Sequence, residues 1–112
     1  MTSTPRFKGI EIEFADGSKY VVPPMNLATI EVMQERLAGF TGGMDKTSIA
    51  LVVDATLASL QRNYPEMTRE RVVNELLDVS NMEEVMAAVM DVSGLRRKEQ
   101  TQQGEAVKPT EN

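Results

Sequence analysis

Hydrophobic residues fall at every second position near the start of the chain and at helical spacing through most of the remainder. Ile10, Ile12 and Phe14 alternate with Glu11 and Glu13, the period of a strand with one face turned to a core. Ala15-Asp16-Gly17-Ser18 has turn chemistry, because Asp and Gly tolerate the positive φ that tight hairpins demand, and Lys19-Tyr20-Val21-Val22 reads as the returning strand. Pro23 and Pro24 lack backbone donors and fix φ, so the ladder is expected to stop there.

The period then changes. Leu27, Ile30, Met33 and Leu37 share one face of a predicted helix that Asn26 caps and Gly39 ends. After the joint Thr41-Gly42-Gly43, Asp45 is placed to cap a second helix running to about Tyr64, with Pro65 closing it. Its apolar stripe is Ile49, Val52, Val53, Thr56, Leu57, Leu60 and Tyr64, opposite Ala50, Asp54, Ala58 and Gln61. Thr68 caps a short third helix with Val72, Val73, Leu76 and Leu77 turned inward, Glu70 suits its dipole, and Asp78-Val79-Ser80 breaks it. Asn81 and Glu84 have the spacing of a capping-box variant and open a fourth helix, which Gly94 ends and whose apolar face is Met82, Val85, Met86, Val89 and Met90. The predicted class is α+β: an N-terminal β-hairpin followed by a small bundle of about four helices. A single domain over 8–94 is expected between a flexible N-terminus, 1–7, and a disordered polar tail, 95–112, which has too little apolar surface to offset ordering entropy.

Composition narrows the function classes. A chain of 112 residues with 41% hydrophobic content has room for one modest core. Residues 1–94 hold 14 acidic and 8 basic side chains, so the folded part is acidic. Phosphate backbones would be repelled, and with 3 Phe, 2 Tyr and no Trp there is no aromatic-basic pattern for nucleic acid. The absence of Cys and His removes disulfides, thiolate metal sites and the commonest general base. A non-enzymatic protein with no cofactor is expected. No stretch approaches the roughly 20 apolar residues of a membrane span, and Met1 to Arg6 is polar, so the expected location is cytosolic.

Candidate chemistry is sparse. Gly39, Gly42, Gly43, Lys46 and Thr47 invite comparison with a phosphate-cradling loop, but that motif needs Gly directly before the Lys and a strand leading in, whereas Asp45 and a helix stand there. The acid pairs Glu11-Glu13, Glu31-Glu35 and Glu83-Glu84 fit solvated faces or a helix first turn better than an acid-base pair. Asp54, within an apolar helix, has small or polar neighbours at helical spacing, which fits an exposed position. Eight Met is a high count, and Met82, Met86 and Met90 fall on one stripe with Val85 and Val89. Flexible, polarizable methionines suit a surface that accommodates partner helices, and they also suit a core; as candidate binding residues these five are the partner face.

The ordered string Asn63-Tyr64-Pro65-Glu66-Met67-Thr68, Val72-Val73-Asn74-Glu75-Leu76-Leu77-Asp78, Asn81, Val85-Met86-Ala87-Ala88-Val89-Met90 and Ser93-Gly94-Leu95 resembles the tail assembly chaperones of long-tailed bacteriophages. The opening hairpin and Pro23-Pro24-Met25-Asn26 add to that likeness, which covers roughly residues 8–95. The resemblance implies an N-terminal β element packed with helices. It also implies binding to a tape measure protein, recruitment of tail tube protein, action in the host cytoplasm and absence from the mature virion. Such proteins are often made in two forms, so a longer frameshifted form is an implied partner of this shorter chain, and a homo-oligomer is a further possibility. The family has no catalytic residues to carry over. A structural virion component, such as a tail completion or head-tail connector protein, is the competing reading.

Overall fold

The computed structural model describes residues 6–40 and 42–95. The order is β1 (Ile10–Glu13), β2 (Lys19–Val22), α1 (Leu27–Ala38), α2 (Lys46–Asn63), α3 (Arg69–Arg71), a π-helical turn (Val72–Leu76) and α4 (Met82–Val92). The class is α+β, a two-stranded antiparallel hairpin followed by helices. Most of the expected flexible N-terminus, the joint residue Thr41 and all of the expected disordered tail beyond Leu95 lie outside the described residues. No described helix is long and apolar enough to cross a membrane.

The hairpin pairs Ile10 with Val22, Glu11 with Val21, Ile12 with Tyr20 and Glu13 with Lys19. Gly17 turns it at φ 87°, a left-handed conformation that only a residue without a Cβ adopts without strain. Asp16 accepts from the Ser18 amide and hydroxyl, locking the turn. Phe14 and Val22 are buried and Ile12 is half-buried, whereas Ile10, across from Val22, is exposed.

α2 is the centre of the molecule: it packs against β2, α1, α3, the π turn and α4. Its N-cap forms as the sequence suggests, with Asp45 accepting from the Ser48 amide at 3.2 Å. Its buried surface is wider than the expected stripe. Leu51, Ala55, Ser59 and Asn63 are buried with Val52, Val53, Thr56 and Leu60, while Leu57 and Tyr64 are half-buried and Ile49 is exposed. A helix surrounded by five neighbours buries more than one stripe, and small residues allow that approach.

Asn63 and Tyr64 join the end of α2 to the hairpin. Asn63 is buried; its oxygen accepts from the amides of Arg6 and Phe7, both at 2.8 Å, and its amide nitrogen donates to the carbonyls of Phe7 and Val21, both at 3.1 Å. All four of its hydrogen-bonding positions are therefore used. The Tyr64 hydroxyl accepts from Val21 N–H at 2.9 Å, and its ring meets Tyr20 edge-on at 4.9 Å. Arg62 stacks on Phe7 and donates to the Pro24 carbonyl. Arg6 and Phe7, placed by the sequence reading in a flexible N-terminus, are thus held by α2.

Four local expectations change. Leu27, expected on the inward face of α1, is 82% exposed, and Met33 is that helix's buried residue; α1 touches the body mainly along α2, so a narrow contact covers few side chains. The third helix widens: Leu77 N–H bonds to Val72 C=O, five residues back, giving a π turn in place of a continued α-helix. The extra residue keeps Val72, Leu76 and Leu77 inside but turns Val73 outward. The capping box of Asn81 and Glu84 does not form; the Asn81 side chain instead accepts from Asp78 N–H and donates to Leu76 C=O, closing the loop before α4.

Candidate functional site

An open apolar groove of about 600 Å³ lies beside the N-terminal half of α2. One wall comes from α2, where Ile49, Val52 and Val53 recur at the i, i+3, i+4 spacing of one helix face. The other wall is Val73 from the π turn with Leu77, Val79 and Met82 from the loop and the start of α4. Met44, one residue before the Asp45 cap, lies at the same mouth as Ile49, the N′ and N4 positions of a hydrophobic staple. Val52, Val53 and Met82 form a buried floor, whereas Met44 (49%), Ile49 (40%), Val73 (41%) and Val79 (78%) remain exposed on the rim. An ordinary stray surface hydrophobe needs no explanation; four around one groove are a contiguous patch.

Charge stands at the margins. Lys46, Arg69 and Asp78 border the groove. Arg69 is held by Asp54 at 3.0 Å, and Arg36 of α1 reaches the other oxygen of the same carboxylate at 3.0 Å. Asp54 is therefore a partly exposed bridge between α1, α2 and α3, a bracket for the wall that carries Arg69. Three other aspartates are turn or cap acceptors. Ser18 holds the Asp16 carboxyl below its ordinary range, Ser48 does so for Asp45, and Ser80 for Asp78, each mainly through a side-chain hydrogen bond to the ionised form.

Four of the five residues expected to face a partner, all but Met82, lie elsewhere. Met82, Val85, Met86 and Val89 are buried, and Met90 is half-buried against the same core. Helix α4 packs this face on α2, so in this fold it is interior and is not free for a partner; Met82 alone also reaches the groove floor. The physical reason is that α4 is the most amphipathic helix and α2 offers a matching apolar side. The groove residues were missed because they are dispersed over a cap, a helix, a π turn and a loop. The available signals were Val79 within the turn Asp78-Val79-Ser80 and the Met44-Ile49 staple spacing.

The remaining candidates are accounted for locally. Lys46 is the first residue of α2 and follows its Asp45 cap, with no glycine cradle around it. Glu31, Glu35, Glu83 and Glu84 are exposed on α1 and α4, and Glu11 and Glu13 are exposed on β1. Among the described residues, no group of three His, Cys, Asp or Glu is placed to hold a metal ion. Comparison of the chain with family models, with curated proteins and with solved structures gives no match.

Proposed function

We propose that this chain is a tail assembly chaperone of a long-tailed bacteriophage, a non-enzymatic binding protein that acts in the host cytoplasm and leaves before the virion is complete. The observation that carries the reading is the open apolar groove between α2 and the Val73–Val79 wall, taken with the ordered resemblance over Asn63 to Leu95. An aliphatic groove with charged margins is the complement of an amphipathic helix, whose anchors recur at i, i+3 and i+4. A tape measure protein, long and helical, offers such stripes repeatedly and would aggregate through them before a tube encloses it.

Occupancy would come from numbers. Many copies, each holding one stretch weakly, cover a long partner and still yield stepwise to tail tube protein, because neighbouring copies raise one another's effective concentration. The formal net charge of −5 keeps such a coated complex soluble. A longer frameshifted form would supply the part that contacts tail tube protein.

The test is co-expression of the tagged chain with fragments of the long helical protein encoded downstream. Soluble co-purification, lost when Ile49 and Val73 are both changed to Ser, supports the reading. Insoluble fragments beside a chain that elutes alone, together with recovery of the chain from purified virions, would replace it with a structural virion component.

A further inference from the structure

The two edges of the hairpin differ. Val21 of β2 directs its N–H to Tyr64 and its C=O to Asn63, so the Val21 end of β2's outer edge is covered by the end of α2. In an antiparallel pair, a residue whose backbone groups point outward faces a partner whose groups also point outward. Glu11 is opposite Val21, so the N–H and C=O of Glu11, and of Glu13 two residues on, point away from the sheet. Ala15, the next residue of that parity, donates outward to Leu76 C=O at 2.9 Å, which closes the edge at that end. Between Ala15 and the open end, Glu11 and Glu13 have no backbone partner among the described residues.

Beside this edge lies a second groove of about 360 Å³ between β1 and α4. Its apolar part is Ile10, Ile12, Val85 and Ala88. Its charged part is Glu11, Glu13 and Glu84, none with an ion pair among the described residues; Lys19, cross-strand from Glu13, makes no salt bridge to it. We infer that the outer edge of β1 is a docking site for an extended segment of a partner protein with alternating basic and apolar residues, added as a third strand. Backbone groups of Glu11 and Glu13 supply the ladder, and cross-strand neighbours share a face. The residue set against Glu11 therefore lies beside Glu11 and Glu13, where a Lys or Arg side chain finds carboxylates. Its neighbours along the strand continue the Ile10-Ile12 face over Val85 and Ala88. A second copy of β1 is a poor occupant, since it would set Glu11 and Glu13 against their own kind.

This inference is independent of the tape measure reading and uses a different face. Its test is titration of the full chain with a short peptide of alternating lysine and valine, read by amide hydrogen exchange, with a glutamate-valine peptide as comparison. Slowed exchange at Glu11 and Glu13, weakening as salt is raised and absent with the acidic peptide, is expected. Glu11→Pro removes an outward amide that the hairpin does not use, so binding should disappear while the thermal midpoint holds. Should that variant unfold, Glu84→Lys, on the exposed face of α4, carries the test with an expected loss of affinity of about three- to tenfold. Binding without protection of those two amides, equal binding of both peptides, or protection of the amides in the free chain would each overturn the proposal.

Discussion

Helix α2 is closed on one flank and open on another, and the two are built from similar residues. On the closed flank the Met-rich face of α4 and the clamp of Asn63 and Tyr64 on β2 leave almost no exposed surface. On the open flank the wall facing Ile49 comes mainly from a π turn and a loop, and Met44, Ile49, Val73 and Val79 stay in contact with water. Apolar content therefore does not tell a core from a binding surface; what does is whether a neighbouring element is long enough to cover it. The 11-residue α4 covers its flank, and the five-residue π turn does not.

The contrast can be broken most sharply at Met86. Met86→Ser should cost about 3–5 kcal/mol, as a large buried side chain is replaced by a small hydroxyl in the closed flank, and urea denaturation would measure it. A change under about 1 kcal/mol would return this face to the list of binding surfaces. Asn63→Ala, on the same flank, strands the amides of Arg6 and Phe7 and the carbonyl of Val21; a loss of about 2–4 kcal/mol is expected in the same assay. Removal of that clamp should also speed exchange of the Val21 amide. Across the helix, Val79→Ser should leave stability within about 0.5 kcal/mol and still weaken capture of a helical partner, because its side chain is spent on water in the free protein.

The smallest effect concerns acid. The Asp45 carboxyl is held below its ordinary value of 3.8 by Ser48. A depressed folded value means stability that is present above the unfolded value and is lost as pH falls through the folded one, so the loss belongs below about pH 4. Asp45→Asn keeps an oxygen for the cap and removes the titration. Its thermal midpoint should therefore fall less than that of the parent between about pH 5 and pH 3. Parallel curves would mean that Asp16 and Asp78, the other two depressed carboxyls, carry the acid response.

How far these features are legible in the sequence follows from the range of the forces involved. The hairpin turn at Asp16-Gly17, the caps at Asn26, Asp45 and Thr68 and the stop at Gly94 are local hydrogen-bonding choices, and each forms where its residues suggest. The capping box at Asn81 is also local on paper but loses to the loop before α4, where the Asn81 side chain accepts from Asp78 N–H and donates to Leu76 C=O. Which apolar faces are covered is set by partners far along the chain: Leu27, Ile49 and Val73 have the right spacing for burial and lack a neighbour to bury them. The groove is the sum of such omissions, so no periodic pattern marks it. Tyr64 falls on the expected stripe of the second helix, but the clamp that it and Asn63 make on the hairpin has no local signal, since their hydrogen bonds run to residues 42 to 57 positions away.

That separation has a consequence for the order of events on a ribosome. The strand carrying Val21 leaves the peptidyl-transferase centre 43 residues before the tyrosine that will receive its amide. At about 5–20 residues per second, the hairpin waits roughly 2–9 seconds with both edges unprotected. During that interval it is a lone two-stranded ribbon, marginal in water by itself. The outward glutamates Glu11 and Glu13 then matter before the fold exists, as charges that keep one nascent ribbon from pairing with the next on a polysome.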